Sequence, residues 1–137
     1  MLQLWTKMLL GAALVMLLPA RPAAAEPAAG QGQRLYLQYC SACHGPDAKG
    51  DGVVSGFMRP KPPDLTLLAK RHKGIFPTVL VIDTIDGRSM ARAHGDSDMP
   101  VWGTILQSDA AGADNPEVHV HSVVTQITDY LRSIQAK

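Results

Sequence analysis

The feature that most constrains this chain is the short run YLQYCSACHGPD, residues 36–47. It contains both cysteines of the 137-residue sequence, Cys40 and Cys43, and His44 directly follows the second of them. A disulfide between two cysteines this close in sequence would close a very small loop and add little stability. The spacing therefore indicates a site whose chemistry needs all three residues.

Two other uses of paired cysteines fit this chain poorly. A structural zinc site takes four cysteine or histidine ligands, usually as two spaced pairs, and the sequence has no second cysteine pair. A thioredoxin-like dithiol opens a helix after a strand in a βαβ unit. Here Leu35, Tyr36 and Tyr39 precede the pair at helical spacing, which predicts that the pair ends a helix.

The run C-x-x-C-H is the attachment signature of a c-type haem. Each cysteine sulfur adds to one of the two vinyl groups of the porphyrin, and two intervening residues let both thioethers reach one edge of the ring. A histidine directly after the second cysteine can then bind the iron from the proximal face. This chemistry accounts for all three residues, so the sequence predicts one covalent haem held by Cys40, Cys43 and His44.

The second axial ligand of the iron must come from elsewhere in the chain. Met99 is favoured by its context in the polar, turn-rich run HGDSDMPVWG: Pro100 stiffens the backbone after it, and Trp102 can pack against a ring. His94 lies five positions before Met99 and offers a bis-histidine alternative. A single methionine or histidine usually has a structural role instead. The remaining candidates are Met58, Met90, His72, His119 and His121.

Residues 1–25 have the features of an export signal. Lys7 precedes an apolar run over residues 8–18, and a run of small residues that ends at Ala25 provides a cleavage site. The apolar run is well short of the ~20 residues that a membrane-spanning helix needs. We therefore expect a cleaved signal peptide over residues 1–25 and a periplasmic protein with no membrane span; retention of the signal as an anchor is the alternative.

Residues 26–137 are then long enough for one small domain. The whole chain has 13 Lys and Arg against 12 Asp and Glu, a formal net charge of +1, which gives no indication of nucleic-acid binding. One local group of cations, named the basic cluster below, either steers an acidic partner or simply completes the dipole at the end of a short helix. The basic cluster consists of Arg59, Lys61, Lys70, Arg71, His72 and Lys73.

Local patterns predict that this domain is mostly helical. A C-terminal helix should begin at Asn115, with one apolar stripe at steps of three and four residues. Asp64 should cap a short helix that runs to about His72. Residues 77–87 are ambiguous, because their β-branched side chains favour a strand whereas Pro77 and Gly87 at the two ends favour a helix, which we expect. The stripe consists of Val120, Val123, Val124, Ile127, Tyr130, Leu131 and Ile134.

Together these residues resemble the class I c-type cytochromes, the single-haem and mostly helical type. Gly32 and Tyr36 lie where that family has a glycine and an aromatic residue on its first helix, and Tyr130 lies where its last helix has an aromatic residue. Met99 and the proline after it match the distal loop of the family. The resemblance spans about residues 30–135.

The resemblance implies an all-α, cytochrome c-like fold in which the N- and C-terminal helices cross around the covalent haem. Gly32 would allow the close approach of the two helices, and Tyr130 would cover it. The family also often has a proline carbonyl that accepts a hydrogen bond from the proximal histidine. Pro60, Pro62 and Pro63 compete for that role, and we favour Pro62 or Pro63.

The resemblance also implies a function. We expect a one-electron carrier with His44 and Met99 as axial ligands, not an enzyme, that is a monomer or a subunit of a redox complex and exchanges electrons with a redox-protein donor and acceptor. The main alternative is the haem-bearing electron-transfer subunit of a periplasmic sulfur- or nitrogen-compound oxidoreductase. A ligand-binding or sensor haem with a free sixth position is a further alternative.

Overall fold

A computed structural model describes residues 28–88 and 99–137, and this part of the chain is helical and contains no β-strand. The all-α expectation is therefore confirmed. The α-helices are α1 (Ala28–Tyr39), α2 (Ser41–His44), α3 (Leu68–Arg71), α4 (Thr78–Asp86), α5 (Trp102–Asp109) and α6 (Pro116–Ser133), and two 3₁₀ turns cover Ser55–Phe57 and Leu65–Leu67. Each helix in these two ranges is too short or too polar to cross a bilayer.

Helix α6 forms the centre of the fold and packs against α1, α4 and α5. It begins as predicted: the side chain of Asn115 accepts a hydrogen bond from the backbone N–H of Val118 (3.2 Å), and Pro116 occupies the first turn. Six of the seven residues of the predicted apolar stripe are buried, and Ile134 packs against the same core. The stripe therefore supplies the face on which the other helices assemble.

The N-terminal helix α1 makes its closest approach to α6 at Gly32. A Cβ atom at this position would overlap the carbonyl oxygen of Gln126 and lie 3.1 Å from Cβ of Tyr130. The Tyr130 ring meets the fully buried Tyr36 ring at a centroid distance of 5.3 Å. The Tyr36 hydroxyl donates to the Gly45 carbonyl at 2.7 Å, so this helix pair also anchors the residues that follow α2.

The short predicted elements are found where the sequence places them. Asp64 accepts hydrogen bonds from the backbone N–H and the hydroxyl of Thr66 (2.9 and 2.6 Å), which starts the turn that leads into α3. The ambiguous residues 77–87 form a helix: α4 ends at Gly87, which adopts the left-handed conformation with φ of 69°. A β-branched side chain would be strained at that backbone angle, whereas glycine is not.

Two features of the helices were not predicted from the sequence. Helix α1 begins at Ala28, before the residues whose helical spacing predicted it, and Gly32 lies within this helix and packs against α6. Helix α5 was missed, since its residues follow a polar, turn-rich run. Its burial comes from Gly103 and Leu106, and its neighbours in space lie far away in sequence. The signal-peptide residues 1–25 lie outside the described residues.

A candidate haem site

All six helices contribute to the lining of one apolar cavity of about 310 Å³. The lining includes Cys40, Cys43, His44 and Met99, which are the four residues that the sequence predicts as haem-binding. Its remaining surface comes mainly from aliphatic, aromatic and proline side chains. A cavity of this kind suits an apolar ligand that is fixed by a few polar or sulfur atoms.

The two cysteines lie on one helical turn at the edge of the cavity. Both are free thiols, Cys40 buried and Cys43 half-buried. The backbone N–H groups of Cys43 and His44 both donate to the Cys40 carbonyl, at 3.2 and 2.9 Å, which holds the three residues in a fixed relation. Burial, with a smaller contribution from Cys43, raises the pKa of the Cys40 thiol to about 12. The Cys40 thiol is therefore protonated at neutral pH.

His44 is half-buried, and its Nδ1 atom is buried without a full hydrogen bond. Desolvation by burial lowers the pKa of His44, and the Pro63 carbonyl opposes this shift. Pro63 is thus the proline whose carbonyl faces the imidazole, although the contact falls short of hydrogen-bond geometry. A lowered pKa keeps the imidazole neutral, which is the form that binds a metal.

Main-chain hydrogen bonds hold the chain around His44. The N–H of Gly50 donates to the His44 carbonyl (2.8 Å), and the N–H of Gly52 donates to the Cys43 carbonyl (3.2 Å). A Cβ atom at Gly52 would lie 2.6 Å from the carbonyl carbons of Ala42 and Cys43, so only glycine fits there without a shift of the backbone. The loop after α2 therefore packs directly against the C-x-x-C-H turn.

Met99 reaches the cavity from the chain just before α5. It is half-buried and packs against the core. Trp102, the first residue of α5, meets the Tyr39 ring of α1 edge-on, with a centroid distance of 5.5 Å and an interplanar angle of 61°. Both rings also line the cavity. The packing of Trp102 that the sequence suggests is thus made with an aromatic residue of the protein itself.

The other candidates for the second axial ligand differ in whether they line the cavity. Met58 lines the cavity together with Met99. His72, His119 and His121 are exposed and are not among the lining residues, and Nδ1 of His72 lies 2.8 Å from the Leu68 carbonyl oxygen. Met90 and His94 lie outside the described residues, and so does the bis-histidine alternative that depends on His94.

Sequence reasoning missed the wall of the cavity that α4 supplies. Leu80, Val81, Thr84 and Ile85 line this wall, and Pro77 precedes them. Their spacing is that of one helical face, so the signal was present once residues 77–87 were taken as a helix. The contribution of Tyr39 was also missed, because its spacing on α1 suggests packing between helices as readily as contact with a ligand.

No group of three or more histidine, cysteine, aspartate or glutamate side chains within residues 28–88 and 99–137 is placed to hold a metal ion. The cysteine pair therefore has no further zinc-type ligands in those ranges. The residues present do fit a c-type haem: two free thiols, a neutral imidazole with an unpartnered buried nitrogen and two thioethers all line one apolar cavity.

Comparison with known proteins identifies the family of this chain. A family model described as cytochrome c matches residues 29–110, which is more than half of the chain and includes every proposed haem-binding residue. No curated protein and no solved structure shows a significant match.

Proposed function

The chain belongs to the cytochrome c family of haem-binding electron carriers, and we propose that it is a monohaem carrier that transfers one electron at a time. Cys40 and Cys43 attach the haem, and His44 and Met99 bind its iron. The observation that carries this proposal is that all four side chains line the same apolar cavity.

A bound c-type haem supplies an iron centre that accepts and releases single electrons. The chain supplies everything that holds this centre in place. The two thiols provide the covalent attachment, and the imidazole of His44, whose pKa burial lowers, is neutral and able to bind iron. The Pro63 carbonyl lies close enough to the ring to oppose this shift in pKa, which supports it as the outer partner that would orient the metal-binding histidine.

Met99 is a better ligand than Met58 because of the wall from which it comes. Met58 belongs to the chain segment that continues into Pro62 and Pro63, and a Cβ atom at Gly50 would overlap the Pro62 carbonyl oxygen. This segment therefore packs beside His44, on the proximal side of the cavity. Met99 comes from a different part of the lining, just before the start of α5, and this separation from the His44 segment supports Met99 as the second ligand.

If His44 and Met99 both bind the haem iron, no coordination position would be open to a substrate. This ligand set supports a carrier and not an enzyme. A thioether ligand also raises the reduction potential relative to a second imidazole. The partners that follow from this arrangement are a redox-protein donor and a redox-protein acceptor.

The protein acts in the periplasm, and residues 1–25 are the signal peptide that is removed near Ala25. The support for this is the order of Lys7, the apolar run and the small residues, together with a haem-attachment signature. The intact mass of the periplasmic protein, compared with the mass of residues 26–137 plus one haem, tests the cleavage. A mass that includes residues 1–25 means that the signal is retained.

The axial ligands are tested by absorption spectra of the matured protein and of two variants, Met99→Ala and Met58→Ala. We expect the ferric protein to show a low-spin spectrum with the weak far-red band of a methionine–iron bond. Met99→Ala should lose this band and bind carbon monoxide tightly when reduced, because the ligand is gone. Met58→Ala, the matched control from the same cavity, should keep both features of the parent protein.

Three results would contradict this assignment or its consequences. A Met99→Ala variant with an unchanged low-spin spectrum excludes Met99 as the ligand. Tight carbon monoxide binding by the parent protein means that the sixth position is open, as in a ligand-binding haem. Stable co-purification from the native host with a larger catalytic subunit favours the alternative, a haem-bearing subunit of a sulfur- or nitrogen-compound oxidoreductase.

A further inference from the structure

Arg88 lies where three helices meet, at a position that the haem site does not explain. Its Nε and Nη2 atoms donate to the two carboxylate oxygens of Asp86 at 2.8 Å each, and its Nη1 atom donates to Glu117 at 2.8 Å. Glu117 stands in the first turn of α6 and also accepts a hydrogen bond from Gln107 of α5 at 2.5 Å. These four residues, the Arg88 cluster, connect the end of α4 to α5 and to the start of α6.

The main chain of α5 touches this cluster directly at Gly103. A Cβ atom at Gly103 would lie 2.5 Å from Nε of Arg88 and from Oδ1 of Asp86, and 2.8 Å from the Asp86 carbonyl oxygen. A second contact joins the same two helix ends: a Cβ atom at Gly87, which ends α4, would lie 3.4 Å from Cα of Val101, which precedes α5. The end of α4 and the start of α5 are therefore in contact over several residues.

Met99 is next to this contact in the chain. It precedes Val101 by two residues and Gly103 by four. Helix α4 itself forms a wall of the cavity. The contacts between the end of α4 and the start of α5 therefore also determine the position of the Met99 main chain relative to the cavity.

From these contacts we propose that Arg88 is a positioning residue for Met99: through Asp86, Glu117 and the close approach of Gly103, it holds the start of α5 in the place that lets the Met99 sulfur reach the iron. The inference rests on the proposed function, in which Met99 is the axial ligand. It adds a residue outside the cavity that determines how firmly that ligand is held.

The strength of the cluster comes from its geometry. The side chains of Arg88, Asp86 and Glu117 are 30%, 22% and 57% exposed, and an isolated ion pair with such exposure contributes little. This cluster, however, is a network with a two-pronged guanidinium–carboxylate contact, which is the stronger type. The hydrogen bonds from Arg88 also hold the pKa of Asp86 below its ordinary value, so the carboxylate is charged at neutral pH.

Imidazole binding to the ferric, matured protein tests the inference. Added imidazole occupies the sixth position only after Met99 has left it, so its apparent dissociation constant reports how firmly Met99 is held. Two variants disturb the same contact from opposite sides: Arg88→Gln removes the guanidinium, and Gly103→Ala places a methyl group against it. We expect both to bind imidazole about five- to tenfold more tightly than the parent protein, which corresponds to about 1 to 1.4 kcal/mol.

Two further variants separate positioning from general stability. Arg132→Gln is the matched control, because Arg132 is also a surface arginine that bridges two elements, through Asp129 and Thr78. It should leave the imidazole dissociation constant unchanged within about twofold, as surface substitutions usually do. Arg88→Lys keeps the charge but not the two-pronged contact, so its dissociation constant should lie between those of the parent and Arg88→Gln.

The possible outcomes distinguish the two proposals. If Arg88→Gln and Gly103→Ala bind imidazole like the parent while their melting temperatures fall, the cluster is only structural and the inference is wrong. The far-red band of the parent and its loss in Met99→Ala would still stand in that case. If the parent has no such band and Met99→Ala leaves the spectrum unchanged, the ligand assignment fails and the inference fails with it.

Discussion

On the His44 side of the cavity, main-chain hydrogen bonds join distant parts of residues 40–65 to one another, whereas on the Met99 side the start of α5 meets other helices through side chains such as Trp102 and Gln107. Main-chain bonds survive most substitutions, except where only glycine fits. Contacts such as Trp102 with Tyr39 are lost when one side chain changes. We therefore expect the His44 side to be the rigid part of the site and the Met99 side to be the part that single mutations loosen.

The two sides also differ in charge. The basic cluster begins on the His44 side, and its Lys61 lines the cavity. Residues 99–107 on the Met99 side contain no charged side chain. A negatively charged reagent is therefore expected to be attracted toward the His44 side of the cavity.

The largest expected loss of stability comes from a glycine substitution on the His44 side. Gly52→Ala places a methyl group against the main chain of the C-x-x-C-H turn, where it would overlap the Ala42 carbonyl oxygen and lie 2.6 Å from the Cys43 carbonyl carbon. We expect a loss of about 3 kcal/mol in the free energy of unfolding, the upper range for overpacking. For a domain of this size the melting temperature of the matured protein should fall by more than about 10 °C.

The control for that variant is Gly56→Ala in the same loop. A Cβ atom at Gly56 has no neighbour within 4 Å, and its backbone is not left-handed. Its stability should stay within about 0.5 kcal/mol of the parent. Equal melting temperatures for the two alanine variants would show that the main-chain contact at position 52 does not hold the His44 side.

A smaller effect is expected on the Met99 side from Trp102→Ala, which removes the ring that meets Tyr39. The ring is half-buried, so we expect a loss of about 2 kcal/mol, below the range for fully buried tryptophans. Imidazole should also bind the ferric protein more tightly, since the segment that carries Met99 is loosened. Trp102→Phe keeps an aromatic contact, so its free energy of unfolding and its imidazole dissociation constant should be close to those of the parent. If Trp102→Ala also has parent-like values, the ring contact does not anchor Met99.

The smallest effect is expected when charges of the basic cluster are reversed, and it concerns the rate of electron transfer. Reversal of Lys70, Arg71 and Lys73 to glutamate should slow electron transfer to a small anionic iron complex by about three- to tenfold at low ionic strength, because the attraction is lost. The difference should vanish above about 0.5 M salt, where such fields are screened. Lys137→Glu at the C-terminus is the control. An unchanged rate at low salt would mean that the basic cluster is only a solvated helix end.

The sequence was most informative where the signal is local. The C-x-x-C-H turn, the Asn115 cap with its apolar stripe, and Asp64 before α3 each depend on residues close together in the chain, and the structure contains these local elements. Helix α5 could not be predicted in the same way. Its position depends on contacts of Gly103 with Arg88 and Asp86, which are distant in sequence.

The choice of axial ligand shows the same limit. Met58 and Met99 both lie in loops rich in proline or polar residues, and both line the cavity. Only the packing of the Met58 segment beside His44 separates them, and that packing depends on the contact between Gly50 and Pro62. A sequence pattern can propose a methionine, but it cannot tell from which wall the sulfur comes.

The most direct test of the account is whether the pigment of the matured protein is covalently bound through Cys40 and Cys43. The purified protein is precipitated in acidified acetone, and the haem in the precipitate is measured as its pyridine complex. The account predicts that the colour stays with the polypeptide at one haem per chain. A colourless protein, or a pigment that passes into the acetone, would contradict it.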